Sequence, residues 1–160
     1  MNRTAMKDCL RAAYNIAQNS PDPSTKVGAV ILHPTGAIYG WNHIPPGVKI
    51  DLADRALKYK VIAHAERHAI FNAAKNGIAL KDTTLICPWA CCADCAIAIV
   101  LSGIRRVVCH GEAMNKTPDR WLEDIKLAAE IFAGSGVDYV KFYGKIGECE
   151  NLFDGEIWKP

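Results

Sequence analysis

Residues 83–110 read TTLICPWACCADCAIAIVLSGIRRVVCH, and how this stretch is divided decides the fold. TTLIC (83–87) is a short β-rich run, CADCAIAIVLSG (92–103) has the length and apolar content of a helix, and IRRVVCH (104–110) is strand-like again. The strand–helix–strand unit extends in both directions. Downstream, DRWLEDIKLAAEIFAGSG (119–136) reads as a helix and VDYVKFY (137–143) as a strand. Upstream, VIAHAERHAIFNAAKNG carries Ile62, Ala65, Ala69, Ile70 and Ala73 at helical spacing and stops at Gly77, which predicts a helix from about residue 61. KVGAVIL (26–32) and AIYGWN (37–42) flank HPTG, the pattern of a hairpin, and HIPPGVK after it breaks regular structure. Met6, Leu10, Ala13, Ile16 and Ala17 mark a first helix that ends at NSPDPS. The expected order is αββαβαβαβ, an α/β class with a mixed sheet covered by helices on both faces. The tail, 144–160, contains Phe153 and Trp158, which pack on the body or on a neighbouring molecule; the pattern does not choose between them.

At 160 residues the chain has the size of one domain, and half of it is hydrophobic. A net charge of +2, scattered along the chain, argues against a nucleic-acid or membrane surface and suits a small ligand. The first twenty residues lack the features of a signal peptide, and no apolar run is long enough for a transmembrane helix. A cytoplasmic protein is the expectation. Seven cysteines make an odd number, and without export a disulfide framework is not expected. Four of them fall within residues 87–95, which points to a metal; Cys9, Cys109 and Cys149 are scattered and read as small hydrophobes.

Cys92 and Cys95 form Cys-x-x-Cys at a helix start, so both thiols share one face where the helix N-terminus favours the thiolate. A redox dithiol would have the same spacing, but it leaves a second cluster, HAERH (64–68), unexplained. His64 and His68 do not match the zincin helix, because Ala65 stands where that motif has glutamate. His33, His43, His68 and His110 are read as ordinary core or surface residues. His64 differs from them because His-x-Glu at 64–66, followed one strand later by Cys-x-x-Cys at 92–95, is the pattern of zinc-dependent nucleobase deaminases. Residues at i and i+2 face apart within a helix, so His64 and Glu66 converge only if His64 lies at the helix start. Three protein ligands would leave the fourth zinc position open for water, the catalytic arrangement.

With these motifs the chain resembles the cytidine and deoxycytidylate deaminase superfamily from about residue 5 to 143, and the deoxycytidylate branch above all. The likeness is carried by SPDPSTKVGAVIL (20–32), GWN (40–42), KYKVIAHAERHAI (58–70) and SGIRRVV (102–108). It implies a three-layer α/β/α sandwich around a five-stranded mixed sheet, one deaminase domain spanning 1–160 with 144–160 as a C-terminal tail, and a homo-oligomer, either a dimer or a hexamer. It also implies Zn2+ held by His64, Cys92 and Cys95, with Glu66 as the proton shuttle. Asn42 would contact the sugar or base, and the backbone near Ala65, Trp89 and Ala90 would frame the pyrimidine. Two residues depart from the branch pattern: Cys91 occupies the position of a proline, and His68 that of an asparagine. The segment between Gly47 and His64 is shorter than in members controlled by nucleoside triphosphates, so such control is not expected.

For a nucleotide, Lys26 is the candidate cation for the phosphate, with Ser24 and Thr25 as hydroxyl donors. Three functions stay open at this level. The leading one is deamination of dCMP to dUMP and ammonia. The second is deamination of cytidine, guanine or a related base, or adenosine in tRNA, the last disfavoured by the small net charge. The third is a zinc-stabilised binding module without catalysis.

Overall fold

A computed structural model describes all residues, 1–160. The chain begins with helix α1 (Arg3–Ala17), whose N-terminus is capped by the Asn2 side chain accepting from the Ala5 N–H. Strands β1 (Gly28–His33) and β2 (Gly36–Trp41) follow as the expected hairpin. Next come α2 (Arg55–Val61), α3 (Ala65–Lys75), β3 (Thr84–Ile86), α4 (Ala93–Leu101) and β4 (Arg106–His110). A short α5 (Gly111–Met114), a 3-10 turn (Asp119–Trp121), α6 (Leu122–Ser135) and β5 (Asp138–Phe142) complete the body.

The five-stranded sheet has the order β2-β1-β3-β4-β5, with β1 antiparallel to both neighbours and β3, β4 and β5 parallel. It separates two cores by strict alternation. Ala29, Ile31, Leu85, Cys87, Val107 and Cys109 face α3, α4 and α6, where they meet Ala69, Ala96 and Phe132. Val30, Ile86 and Val108, the residues between them, face Leu10, Ala13 and Tyr14 of α1. The three layers and the mixed sheet agree with the fold that the sequence implied.

Three details differ. The helix expected from residue 61 starts only at Ala65, because Ala63 gives its N–H and C=O to His43 in a β-bridge (2.8 and 2.9 Å), and a separate helix that the spacing did not predict, α2, precedes that bridge. The apolar spacing runs across this bridge without showing it. The helix expected from residue 119 opens as a 3-10 turn before α6. Most important, the tail is ordered on the body. Strands β6 (Asn151–Phe153) and β7 (Glu156–Trp158) form a hairpin around Asp154-Gly155, both with positive φ (50° and 86°), as a two-residue primed turn requires. Trp158 lies edge-on to Tyr14 at 5.9 Å and stacks on His110 at 5.7 Å.

Gly40 of β2 decides how closely the sheet approaches α3. A Cβ there would lie 2.3 Å from the Ala65 carbonyl oxygen and 2.4 Å from the Ala69 nitrogen. No larger residue permits this contact, and α3 is the helix that carries Glu66.

Candidate active site

Two helix starts converge beside the sheet. His64 is the N-cap of α3 with extended backbone (φ −67°, ψ 156°), and Glu66 follows in the first turn. Cys92 is the N-cap of α4 (φ −79°, ψ 168°), and Cys95 follows in its first turn. The extended N-cap conformation turns His64 out of the helical repeat, which meets the condition for His64 and Glu66 to face one centre.

His64 Nδ1 lies 3.3 Å from Cys92 Sγ and 3.6 Å from Cys95 Sγ, and the three ligand atoms all fall within 4.8 Å of one another. Zn–N and Zn–S bonds at tetrahedral angles put nitrogen and sulfur about 3.5 Å apart, so this spacing fits a zinc ion with one imidazole and two thiolates. The Cys92 thiol is lowered to about 4, first by the hydrogen bond from the Cys95 thiol and then by His64, which favours the thiolate a metal needs. Glu66 is 4% exposed, and burial pushes its carboxyl above the usual range.

Cys91 lies outside this group. Its side chain is fully buried in the α3/α4/α6 core beside Cys109, and this neighbour together with burial drives the thiol well up. Burial does not separate Cys91 from Cys95, which is equally buried; position does, since only His64, Cys92 and Cys95 bring their ligand atoms together. Cys87, buried in the same core at the end of β3, lies outside that group as well.

The cavity in front of His64 and Glu66 is lined by Asn42, Ala65, Trp89 and Ala90, and by Ser24 and Thr25. The Asn42 amide also holds its own wall: Oδ1 accepts from the Val27 N–H (2.8 Å) and Nδ2 donates to the Thr25 carbonyl (2.8 Å). Lys26 does not line the cavity. Its ammonium donates to the Gln18 carbonyl at 3.1 Å, because Lys26 follows Thr25 into the strand and points the other way. The cation inside is Lys58, buried and paired with Asp22 at 3.1 Å, with a further bond to Ser24 Oγ at 3.0 Å. Nothing in the composition of α2 distinguishes Lys58 from surface lysines; its place in KYKVIAHAERH, five residues before the bridge at Ala63, was the available signal.

Two further walls come from distant sequence. Trp121 of the 3-10 turn meets His64 edge-on at 6.4 Å and Tyr59 at 5.7 Å. Phe153 of the C-terminal hairpin stacks on Trp89 at 3.9 Å, nearly parallel. The Asp-Gly turn between apolar pairs was the sequence signal for that hairpin.

The model for the cytidine and deoxycytidylate deaminase zinc-binding region matches residues 3–111, which holds both ligand pairs and Glu66. The chain belongs to this deaminase family. It is 36% identical over 124 residues to an uncharacterized deaminase in the luxG 3'region of Aliivibrio fischeri, covering 74% of this chain and 80% of that protein. It is 31% identical over 161 residues to the deoxycytidylate deaminase of Mus musculus, covering 94% and 86%. Its fold is similar to that of the dCMP deaminase from cyanophage S-TIM5, crystallised with dCMP and dUMP (TM-score 0.69, 22% identity, 88% of this chain and 98% of that one). None of the helices of this deaminase is long and apolar enough to cross a membrane.

Proposed function

We propose that this deaminase converts dCMP to dUMP and ammonia, with zinc held by His64, Cys92 and Cys95 and with Glu66 moving the protons. The observation that carries the reading is the meeting of the two helix starts, with one imidazole and two thiols at zinc spacing next to a buried carboxylate. The choice of dCMP is supported by the deoxycytidylate deaminases it resembles over nearly its whole length.

His64, Cys92 and Cys95 would hold the zinc, which would supply Lewis-acid activation of water near neutral pH. The residues of the chain do the rest. Glu66 takes one proton of the attacking water and delivers it to N3 of the cytosine ring; it then takes the proton of the new C4 hydroxyl and delivers it to the amine, so that the C4–N bond breaks, ammonia leaves and the C4 carbonyl forms. Its burial suits this cycle, since a carboxylate raised above its ordinary value is a stronger base toward the water proton than an exposed one. Ala65 and Ala90, small and adjacent to the ligands, leave room for the flat ring, and Trp89 bounds it.

The test is ammonia release from dCMP, CMP, deoxycytidine, cytidine, dCTP and guanine, beside metal analysis of the same preparations. Glu66→Gln should keep one zinc per chain and lose at least about 10²-fold in kcat. Normal turnover by that variant would remove Glu66 from the mechanism. A free nucleoside or base is the second reading, favoured by one observation: both cations that line the cavity, Lys58 and Arg120, already face carboxylates.

A further inference from the structure

A substrate phosphate entering this cavity meets no unpaired cation, so it must take one from its carboxylate. The two pairs differ sharply. Lys58 and Asp22 have side chains only 6% exposed each, and Asp22 Oδ1 also accepts from the Ser24 and Thr25 N–H groups. Drawing Lys58 away would strand a buried carboxylate, the most unfavourable way to break an ion pair. Arg120 and Asp154 are 45% and 51% exposed and sit 3.7 Å apart, a long, solvated contact that contributes little. An Asp154 carboxylate released from Arg120 would be hydrated at once.

The position of this pair gives it a role. Arg120 precedes Trp121, whose ring stands against the ligand His64. Asp154 is the tip of the C-terminal hairpin, fastened to the Ser24–Thr25 wall by Gly155 N–H to the Ser24 carbonyl (2.8 Å) and Asp154 N–H to Thr25 Oγ1 (3.1 Å). The pair therefore joins two walls of the cavity that come from opposite sides of the chain. A guanidinium presents forked donors that match phosphate oxygens and outcompete a single, distant carboxylate contact.

We propose that Arg120 and Asp154 form an anion-exchange clasp, in which a phosphate on the substrate replaces the Asp154 carboxylate on Arg120 and so selects nucleotides over nucleosides. This rests on the reading of the cavity as a nucleotide deamination site. Arg120 is then a specificity residue, and Asp154 is a resident competitor that the phosphate displaces.

The experiment compares zinc-loaded full-length wild type, Arg120→Gln and Asp154→Asn. It measures kcat/KM for dCMP and deoxycytidine, and calorimetric Kd for dUMP and deoxyuridine. Wild type should prefer dCMP, and Arg120→Gln should reduce the dCMP-to-deoxycytidine ratio roughly 10- to 100-fold, mainly through KM. Asp154→Asn should move the ratio the other way and tighten dUMP. An unchanged ratio in Arg120→Gln overturns the clasp, as does a fall in Asp154→Asn equal to that in Arg120→Gln, which would make the pair a structural strap. A wild type that prefers CMP or dCTP, with that preference lost in Arg120→Gln, keeps the clasp and overturns dCMP as the substrate. A wild type that treats dCMP and deoxycytidine alike, and binds dUMP no tighter than deoxyuridine, overturns both.

Discussion

Gly40→Ala should damage the active site from the opposite side of α3. The added methyl would lie 2.3 Å from the Ala65 carbonyl oxygen, about 1 Å short of the 3.4 Å at which ordinary contact begins, and within 3 Å of two backbone atoms of Ala69. These are backbone atoms of a helix, so no rotamer change relieves the clash. Either β2 leaves the sheet edge or the start of α3 moves by roughly the shortfall. Overpacking of this kind costs about 1–3 kcal/mol, which for a chain of this length corresponds to a fall in Tm of roughly 2–12 °C. Glu66 sits in the first turn of α3, and a displacement near 1 Å at a reacting group costs on the order of 10²-fold in rate. The assay pairs calorimetric Tm with kcat and with zinc content. Stability should fall moderately, zinc should be partly retained, and kcat should fall far more than the folded fraction does. A Gly40→Ala protein with wild-type Tm and kcat would refute the argument that this glycine sets the distance between sheet and site.

The buried pair gives a second test: Lys58→Ala should destabilise the protein by about 3–5 kcal/mol in urea unfolding, and adding Asp22→Asn should recover much of the loss by removing the stranded charge. The pH dependence follows from the same carboxylate. Burial alone would raise Asp22, but hydrogen bonds from the Ser24 N–H, Lys58 and the Thr25 N–H hold it below its ordinary 3.8. Its stabilising contribution is therefore complete above that value and is lost as pH falls through the lower folded value, so Asp22→Asn should show a shallower acid-unfolding profile than wild type. For the cysteines, Cys91→Ala should retain one zinc per chain, whereas Cys92→Ala should lose it; loss of zinc in Cys91→Ala would place that thiol among the ligands.

The chemistry of the site was legible in the sequence because it depends on local spacing at two helix starts. His-x-Glu and Cys-x-x-Cys each lie within one turn, and the turn that precedes a helix is where an extended N-cap can aim a side chain at a common centre. The strands were legible as short, continuous β-rich runs such as 28–33 and 106–110, while the division of their residues between the two cores came from the structure. The walls of the cavity were not. Lys26 and Lys58 are both lysines next to apolar residues, and only the return of α2 across the Asp22 loop shows that Lys58 is the one inside.

The sequence by itself thus determined the class of fold, the two motifs that supply the candidate ligands His64, Cys92 and Cys95, and the separation of Cys92 and Cys95 from the scattered thiols. Tertiary structure alone decided what surrounds them. It buried Cys91 against Cys109, held Ala63 in a bridge that delays the expected helix to Ala65 and leaves His64 as its cap, and folded residues 151–158 back so that Phe153 and Asp154 close a cavity begun more than a hundred residues earlier. Those contacts join segments distant along the chain, and no local period records which distant surface a side chain will meet.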